Sequence, residues 1–78
     1  METKGMLYFV NYSANKRQEV CVCRNTNECL TEIGKFLKEH PKFKWYYTRI
    51  YIRDGITKFD IGSHTDFFEW EGEDHGIR

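Results

Sequence analysis

The stretch FKWYYTRIYIRDGITKFDIGSHTDFFEW, residues 43–70, is the most informative part of the sequence because it predicts two consecutive hairpins. Asp54-Gly55 lies between two runs of alternating apolar and polar residues, which is the strongest short signal for a two-residue β-turn. Such a turn sets the register of the strands on either side. The predicted opposing pairs are Ile52–Thr57, Tyr51–Lys58, Ile50–Phe59, Arg49–Asp60 and Thr48–Ile61.

The second turn of this stretch is GSHT, residues 62–65. Gly62 permits a positive φ, and the hydroxyls of Ser63 and Thr65 can bond to nearby backbone. The chain then returns as a third strand, with the pairs Thr57–Trp70, Lys58–Glu69, Phe59–Phe68 and Asp60–Phe67. One register satisfies both hairpins, and this agreement supports it. The face expected to receive a helix contains Ile50, Ile52, Phe59, Ile61, Phe68 and Trp70.

The first part of the chain predicts another hairpin and one helix. MLYFVNY favours a strand from about Met6 to Tyr12, SANK a turn, and RQEVCVC a second strand. A four-residue loop would place the apolar pairs Phe9–Val20 and Leu7–Val22 opposite each other.

The segment RNTNECLTEIGKFLKEHP has the pattern of an amphipathic helix. Asn25 is a good N-cap, Glu28 three residues later completes a capping-box pattern, and Pro41 ends the helix. The apolar stripe at helical spacing consists of Leu30, Ile33, Phe36 and Leu37. The predicted order is therefore β-β-α-β-β-β, an α+β fold in which one helix packs on one face of a mostly antiparallel sheet.

Size and charge narrow the class of protein. The 78 residues suit one domain, residues 1–78, with an acidic tail from about residue 71 to 78 that we expect to be loose. The net charge is zero, which disfavours nonspecific coating of nucleic acid. Six basic residues and one acid lie in positions 35–53, whereas six acids and one base lie in positions 60–78. The amino terminus lacks the apolar run of a signal peptide, and no segment has the length of a membrane span.

Two groups of residues raise the question of catalysis or metal binding. Ser63, His64 and Asp66 are neighbours in sequence, but a hydrolase needs a nucleophile, a base and an oxyanion site assembled in a cleft, so the turn is the favoured interpretation. The cysteines at positions 21, 23 and 29 lack the spacing typical of zinc sites and are expected to be small buried residues with free thiols, as in a reducing cytosol. We expect neither catalysis nor a cofactor.

The third strand carries the residues that suggest binding. Trp45, Tyr47, Arg49, Tyr51 and Arg53 would share the sheet face that the helix leaves uncovered, together with Phe67. Rings alternating with arginine are typical of protein interfaces and also of platforms for single-stranded RNA or DNA. Ser63, His64 and Glu69 would flank this face. A protein partner or self-association in a homodimer or larger homo-oligomer is favoured, and nucleic acid is the alternative.

The ending DIGSHTDFFEWEG, residues 60–72, preceded by an aromatic and arginine strand and a D-G turn, resembles the ending of small proteins encoded by phages and prophages. The resemblance covers about the last third of the chain and brings no catalytic residues. It implies a small accessory protein in the cytoplasm of a bacterial host. Proteins of this kind often bind one host or defence protein stoichiometrically, as anti-CRISPR inhibitors do.

Overall fold

A five-stranded sheet and one helix make up the computed structural model, which describes residues 4–11, 14–63 and 65–72. The elements are β1 (Gly5–Asn11), β2 (Lys16–Cys23), α1 (Thr26–Glu39), β3 (Arg49–Arg53), β4 (Ile56–Asp60) and β5 (Asp66–Trp70). The strand order across the sheet is β2-β1-β5-β4-β3, and every neighbouring pair is antiparallel. The predicted α+β fold with one helix is confirmed.

The two hairpins of β3, β4 and β5 have the predicted register. Asp54 and Gly55 have φ values of 54° and 79°, which fit a two-residue turn with both central residues in the left-handed region. All the predicted pairs between these strands are present except Thr48–Ile61. The strand begins only at Arg49, because the carbonyl of Ile61 instead accepts hydrogen bonds from the backbone N–H groups of Tyr46 and Tyr47, at 2.9 and 3.4 Å.

The predicted register of the first hairpin is wrong. At the turn Asn11 pairs with Lys16, so Phe9 lies opposite Gln18, two residues from the predicted Val20. The register then shifts between Leu7 and Tyr8, which leaves Leu7 opposite Cys21, one residue from the predicted Val22. This shift is a β-bulge that leaves Val20 as the extra residue of β2. Strand β1 ends at Asn11, and Tyr12 lies outside the described residues.

Pairing of β1 with β5 joins the two halves of the chain into one sheet. Leu7 lies opposite Trp70 and Phe9 opposite Phe68. The indole Nε1 of the fully buried Trp70 donates to the carbonyls of Gly5 and Cys23, at 3.1 and 3.2 Å. The last strand is therefore bonded to the beginning of β1 and to the end of β2.

The helix begins where the capping pattern predicts. The side chain of Asn25 accepts a hydrogen bond from the backbone N–H of Glu28 at 2.9 Å. The Glu28 carboxylate accepts from the Arg24 guanidinium, with the ion pair at 2.7 Å, and from the backbone N–H of Arg24 at 2.8 Å, and these bonds lower the pKa of Glu28. The helix ends at Glu39, two residues before Pro41.

The core lies between α1 and the strands β1, β4 and β5. Phe9 contacts three other rings, those of Phe36, Phe43 and Phe68, with centroids 4.8 to 5.1 Å apart. The buried hydrophobic residues are Leu7, Phe9, Cys23, Cys29, Ile33, Phe36, Leu37, Phe59, Ile61, Phe68 and Trp70. Of the predicted helix stripe, Leu30 is only partly buried, whereas Cys29 is fully buried.

The helix does not reach β3, so the predicted face is wrong for Ile50 and Ile52, whereas its other members, Phe59, Ile61, Phe68 and Trp70, are fully buried. Ile50 and Ile52 were expected under the helix, but 37% and 64% of their surface is exposed. All five residues of β3 are exposed. Since α1 follows the edge strand β2 directly and packs beside it, a single helix leaves the opposite edge of the sheet bare.

The start of the expected loose tail is ordered against β1. The N–H of Glu71 donates to the carbonyl of Met6 at 3.1 Å, and Gly72 is buried. A Cβ atom on Gly5 would lie 2.0 Å from the backbone nitrogen of Gly72. The rest of the predicted tail, residues 73–78, lies outside the described residues.

We expect Gly5→Ala to lower the free energy of unfolding by about 1–3 kcal/mol, because backbone atoms must separate to admit the methyl group. Gly34→Ala is the matched control. Its Cβ would lie 3.5 Å from the Trp45 ring, an ordinary contact, and alanine in a helix is favoured over glycine by about 0.5–1 kcal/mol. Urea unfolding should therefore rank Gly34→Ala at or above the wild type and Gly5→Ala well below it. Equal stability of the two variants would contradict the close approach.

Candidate binding surface

The exposed hydrophobic side chains of the molecule are concentrated in one stretch. We call residues 45–53, which contain β3, the edge segment. Its large exposed side chains are Trp45 (41%), Tyr46 (66%), Tyr47 (55%), Ile50 (37%), Tyr51 (37%) and Ile52 (64%). The one other large hydrophobic residue exposed among residues 4–11, 14–63 and 65–72 is Val22, on the opposite edge of the sheet. Clustered exposure of this kind marks interaction surfaces.

Trp45 does not share a face with Tyr51, contrary to the prediction. It lies before β3, and its ring approaches the helix at Gly34. Its indole Nε1 donates to the hydroxyl of Thr48 at 2.6 Å. Trp45 is therefore exposed on the helix side of the sheet, because residues 43–48 form no strand and do not alternate between faces.

Tyr46 and Tyr47 lie against the loop that follows β4. Gly62 has a φ of 89°, and a Cβ there would lie 2.7 Å from the Cβ of Tyr46 and 3.0 Å from Cε2 of Tyr47. Only glycine permits both the positive φ and this approach. An open groove of about 400 Å³ lies between Tyr46, Gly62, Ser63 and Thr65. Gly62, Ser63 and Thr65 thus lie beside the edge segment, and the contact of this loop with a partner stays a prediction.

The centre of the uncovered sheet face is closed by charged side chains. Glu69 was predicted to contact a partner, but its carboxylate pairs with Arg17, at 3.0 Å, and with Lys58. Arg17 also lies over the ring of Tyr8, with Cζ 3.5 Å from the centroid. Arg17 pairs with Glu71 as well, so this carboxylate is engaged within the molecule too.

Phe67 is partly covered by Lys58, which belongs to the same network of ion pairs. The Nζ of Lys58 lies 5.1 Å from the centroid of the Phe67 ring, and Phe67 is half-buried. The predicted aromatic platform therefore does not extend across the uncovered face, and the part of the platform that is exposed throughout is the outer strand, β3. Lys58–Glu69, which the register predicted as an opposing pair, is present as an ion pair.

The outer strand carries basic groups. Arg49 pairs with Asp60 at 3.2 Å, and its guanidinium lies 5.7 Å from the ring centroid of Tyr51. Arg53 in β3 and Lys44, which directly precedes the edge segment, are exposed and form no ion pair with the part of the chain that the structure describes. The edge segment therefore combines exposed rings with positive charge that is not fully neutralised.

Ser63 has the structural role predicted for a turn residue. Its hydroxyl donates to Oδ2 of Asp66 at 3.2 Å and accepts from the N–H groups of Asp66 and Thr65, at 3.1 and 3.3 Å. Asp66 is 8% exposed, and its Oδ1 is buried with no hydrogen-bond partner among the described residues. His64 lies outside the described residues.

The three cysteines are free thiols, two at the end of β2 and one, Cys29, in the first turn of α1; Cys23 and Cys29 are fully buried. Sγ of Cys21 lies 3.7 Å from Sγ of Cys23. Burial raises the pKa of Cys21 to about 12 and raises the pKa values of Cys23 and Cys29 as well. The thiols are therefore protonated at neutral pH and are weak nucleophiles. No cluster of three or more His, Cys, Asp or Glu side chains able to hold a metal ion occurs within the described ranges.

Comparison of the chain with protein-family models, curated protein sequences and solved structures finds no match. Within the described residues, no helix combines the length and the apolar character that crossing a membrane requires. A function for the chain therefore has to follow from its own residues.

The sequence pattern identified the edge segment, but it gave no role to Tyr46 and assigned Ile50 and Ile52 to the covered face of the sheet, although all three are exposed. The run Trp45-Tyr46-Tyr47 carried a signal, since three successive rings in a strand cannot all lie on one face. No local signal showed that the helix stops short of β3, because that depends on which edge of the sheet the helix follows.

The Glu69 network predicts acid sensitivity. Burial alone would raise the pKa of Glu69, but the hydrogen bonds from Lys58 and Arg17 outweigh it, so the pKa is lowered. The ionised carboxylate therefore stabilises the fold above the unfolded-state pKa of about 4.3, and this stabilisation is lost as the pH falls through the lower folded-state pKa. Urea unfolding between about pH 7 and about pH 3 should show a smaller loss of stability in Glu69→Gln than in the wild type.

Glu39→Gln is the control for this measurement, since Glu39 is exposed at the end of α1 and forms no ion pair with another described residue. The free energy of unfolding of Glu39→Gln should depend on pH in the same way as that of the wild type. An unchanged pH dependence in Glu69→Gln would show that the network does not contribute to acid stability.

Proposed function

We propose that this chain is a small non-catalytic protein that acts by binding one partner protein stoichiometrically through the edge segment. The observation that carries the proposal is the exposure of six large hydrophobic side chains within eight consecutive positions, residues 45–52. Trp, Tyr and Arg, the residues that dominate protein interfaces, are all present there. No other part of residues 4–11, 14–63 and 65–72 exposes such a cluster.

The setting that we propose is the cytoplasm of a bacterium that carries a phage or prophage. Support comes from the resemblance of residues 60–72 to phage proteins and from three thiols without a disulfide. A host or defence protein is the partner class proposed on this basis, with inhibition as the consequence of binding. The thiols, whose raised pKa values keep them protonated at neutral pH, and the Ser63 hydroxyl, which is hydrogen-bonded within its turn, are poor nucleophiles, and this supports binding rather than catalysis.

Single-stranded nucleic acid is the second candidate partner. Lys44 and Arg53 form no ion pair with other described residues and lie in the same stretch as exposed rings, which is the combination that such binders use. Phosphate contacts would make the affinity fall steeply with salt. Fluorescence anisotropy with labelled RNA and DNA oligonucleotides at about 50 mM and about 200 mM salt separates the two candidates. Absence of binding at the lower salt removes this candidate.

The test of the proposed function is capture from bacterial host lysate by the tagged wild type and by the double variant Tyr46→Ser/Ile52→Thr. These two side chains are the most exposed of the edge segment, so their replacement should leave the fold intact. We expect one protein to copurify with the wild type in a fixed molar ratio. Its affinity for the double variant should fall at least about tenfold, since each anchoring side chain of an interface contributes more than about 1 kcal/mol.

Val22→Thr is the matched control, because Val22 is 56% exposed but lies on the other edge of the sheet. It should capture the partner as well as the wild type does. Equal capture by the double variant, or no stoichiometric partner for the wild type, would overturn the proposed function. Circular dichroism of each variant verifies that the fold is retained.

A further inference from the structure

The outer edge of β3 carries backbone groups that no other strand of this sheet bonds. In a two-residue hairpin the pair beside the turn is hydrogen-bonded, and bonded and non-bonded pairs then alternate. Arg53, Tyr51 and Arg49 therefore direct their N–H and C=O groups toward β4. Ile50 and Ile52 direct theirs outward, away from the sheet. Such an edge is a template for one more strand.

The two faces of this edge differ in chemistry. On the helix side, β3 presents the exposed side chains of Ile50 and Ile52. On the other side it presents Arg49, Tyr51 and Arg53. An added strand also alternates between the faces, so its side chains beside the isoleucines should be apolar and those beside the arginines should be carboxylates.

We propose that β3 binds its partner by strand addition and that the added segment is an extended peptide in which apolar and acidic residues alternate. This inference rests on the proposed function and specifies the partner that the edge segment takes. Main-chain hydrogen bonds to Ile50 and Ile52 supply affinity, and the alternating side chains supply specificity.

A second copy of this chain fits the edge less well than an acidic strand. In a two-fold antiparallel pairing centred on Tyr51, which aligns all of β3, Arg49 of each copy lies opposite Arg53 of the other. Like charges directly opposite each other destabilise a strand pair. The same positions favour a carboxylate, so the two arginines discriminate against self-pairing and in favour of an acidic partner.

The other edge of the sheet is unsuited to strand addition. In β2, the bulge at Val20 interrupts the regular alternation of backbone groups. The first half of β2 is exposed and contains no apolar residue that an added strand could cover. It consists of Lys16, Arg17, Gln18 and Glu19. Strand addition is therefore specific to β3.

The experiment is selection of random nonapeptides displayed on yeast against the purified protein. We expect the enriched sequences to alternate apolar and acidic residues. Arg53→Glu should weaken binding of the enriched peptides at least tenfold, whereas Lys16→Glu, the same charge change on the β2 edge, should leave it unchanged. Enrichment of peptides without this alternation, or no enrichment, overturns the inference.

A second measurement separates edge pairing from contact with side chains alone. Amide hydrogen exchange followed by NMR should show that the Ile50 and Ile52 amides exchange faster than that of Tyr51 in the free protein and become protected when an enriched peptide binds. Ile52→Pro removes one outward donor at a position where an edge strand tolerates proline, and it should abolish binding. Ile52→Thr keeps the backbone N–H donor and should retain part of the peptide binding.

The outcomes distinguish this inference from the proposed function. A host protein that is captured through the edge segment without protection of the Ile50 and Ile52 amides overturns strand addition and leaves the proposed function standing. Absence of any captured partner overturns the proposed function itself. Sedimentation that shows a dimer dissociated by Ile52→Pro would assign the edge to a second copy and overturn the inference, as would oligonucleotides that displace the selected peptides.

Discussion

The burial of Trp70 is the interaction on which the arrangement of the sheet depends. Its indole Nε1 donates to carbonyls at the beginning of β1 and at the end of β2, while its strand, β5, pairs with both β1 and β4. A buried donor left without a partner costs about 1–3 kcal/mol, so a shifted register between the two halves of the chain is strongly disfavoured. The hairpin of β1 and β2 and the meander of β3, β4 and β5 thereby become one sheet.

The position of the helix follows from this sheet, and the binding surface follows from the helix. Because α1 succeeds β2, an edge strand, it covers the half of the sheet that contains the Phe9 cluster and leaves β3 without a cover. The other face needs no second layer, since Arg17, Glu69 and Lys58 form a charged network across its centre. What remains exposed is the edge segment, and its exposure is the basis of the function proposed for the chain.

Much of the fold could be predicted because its signals are local. The Asp54-Gly55 turn and the GSHT turn, with the alternation around them, predicted the β3–β4 and β4–β5 registers correctly, and Asn25 and Pro41 predicted the two ends of the helix. The first hairpin could not be predicted in the same way. SANK does not define one turn type, so the pairs nearest the turn differ from the predicted ones by two residues, and the bulge at Val20 then changes the register again within the same strand pair.

For the candidate site, the local sequence pattern predicted which stretch carries the rings and the arginines, and that an antiparallel strand with Arg49–Asp60 pairing lies within it. Which of those side chains are free of contacts within the molecule depends on the packing of the whole chain. In the folded chain Glu69 is bound in an ion pair within the molecule, Trp45 lies on the helix side of the sheet, and Ile52 is exposed. Turns and strand alternation could be predicted because they are set by residues that are adjacent in sequence. The β1–β5 pairing and the part of the sheet that the helix covers could not, because they depend on contacts between residues that are distant in sequence.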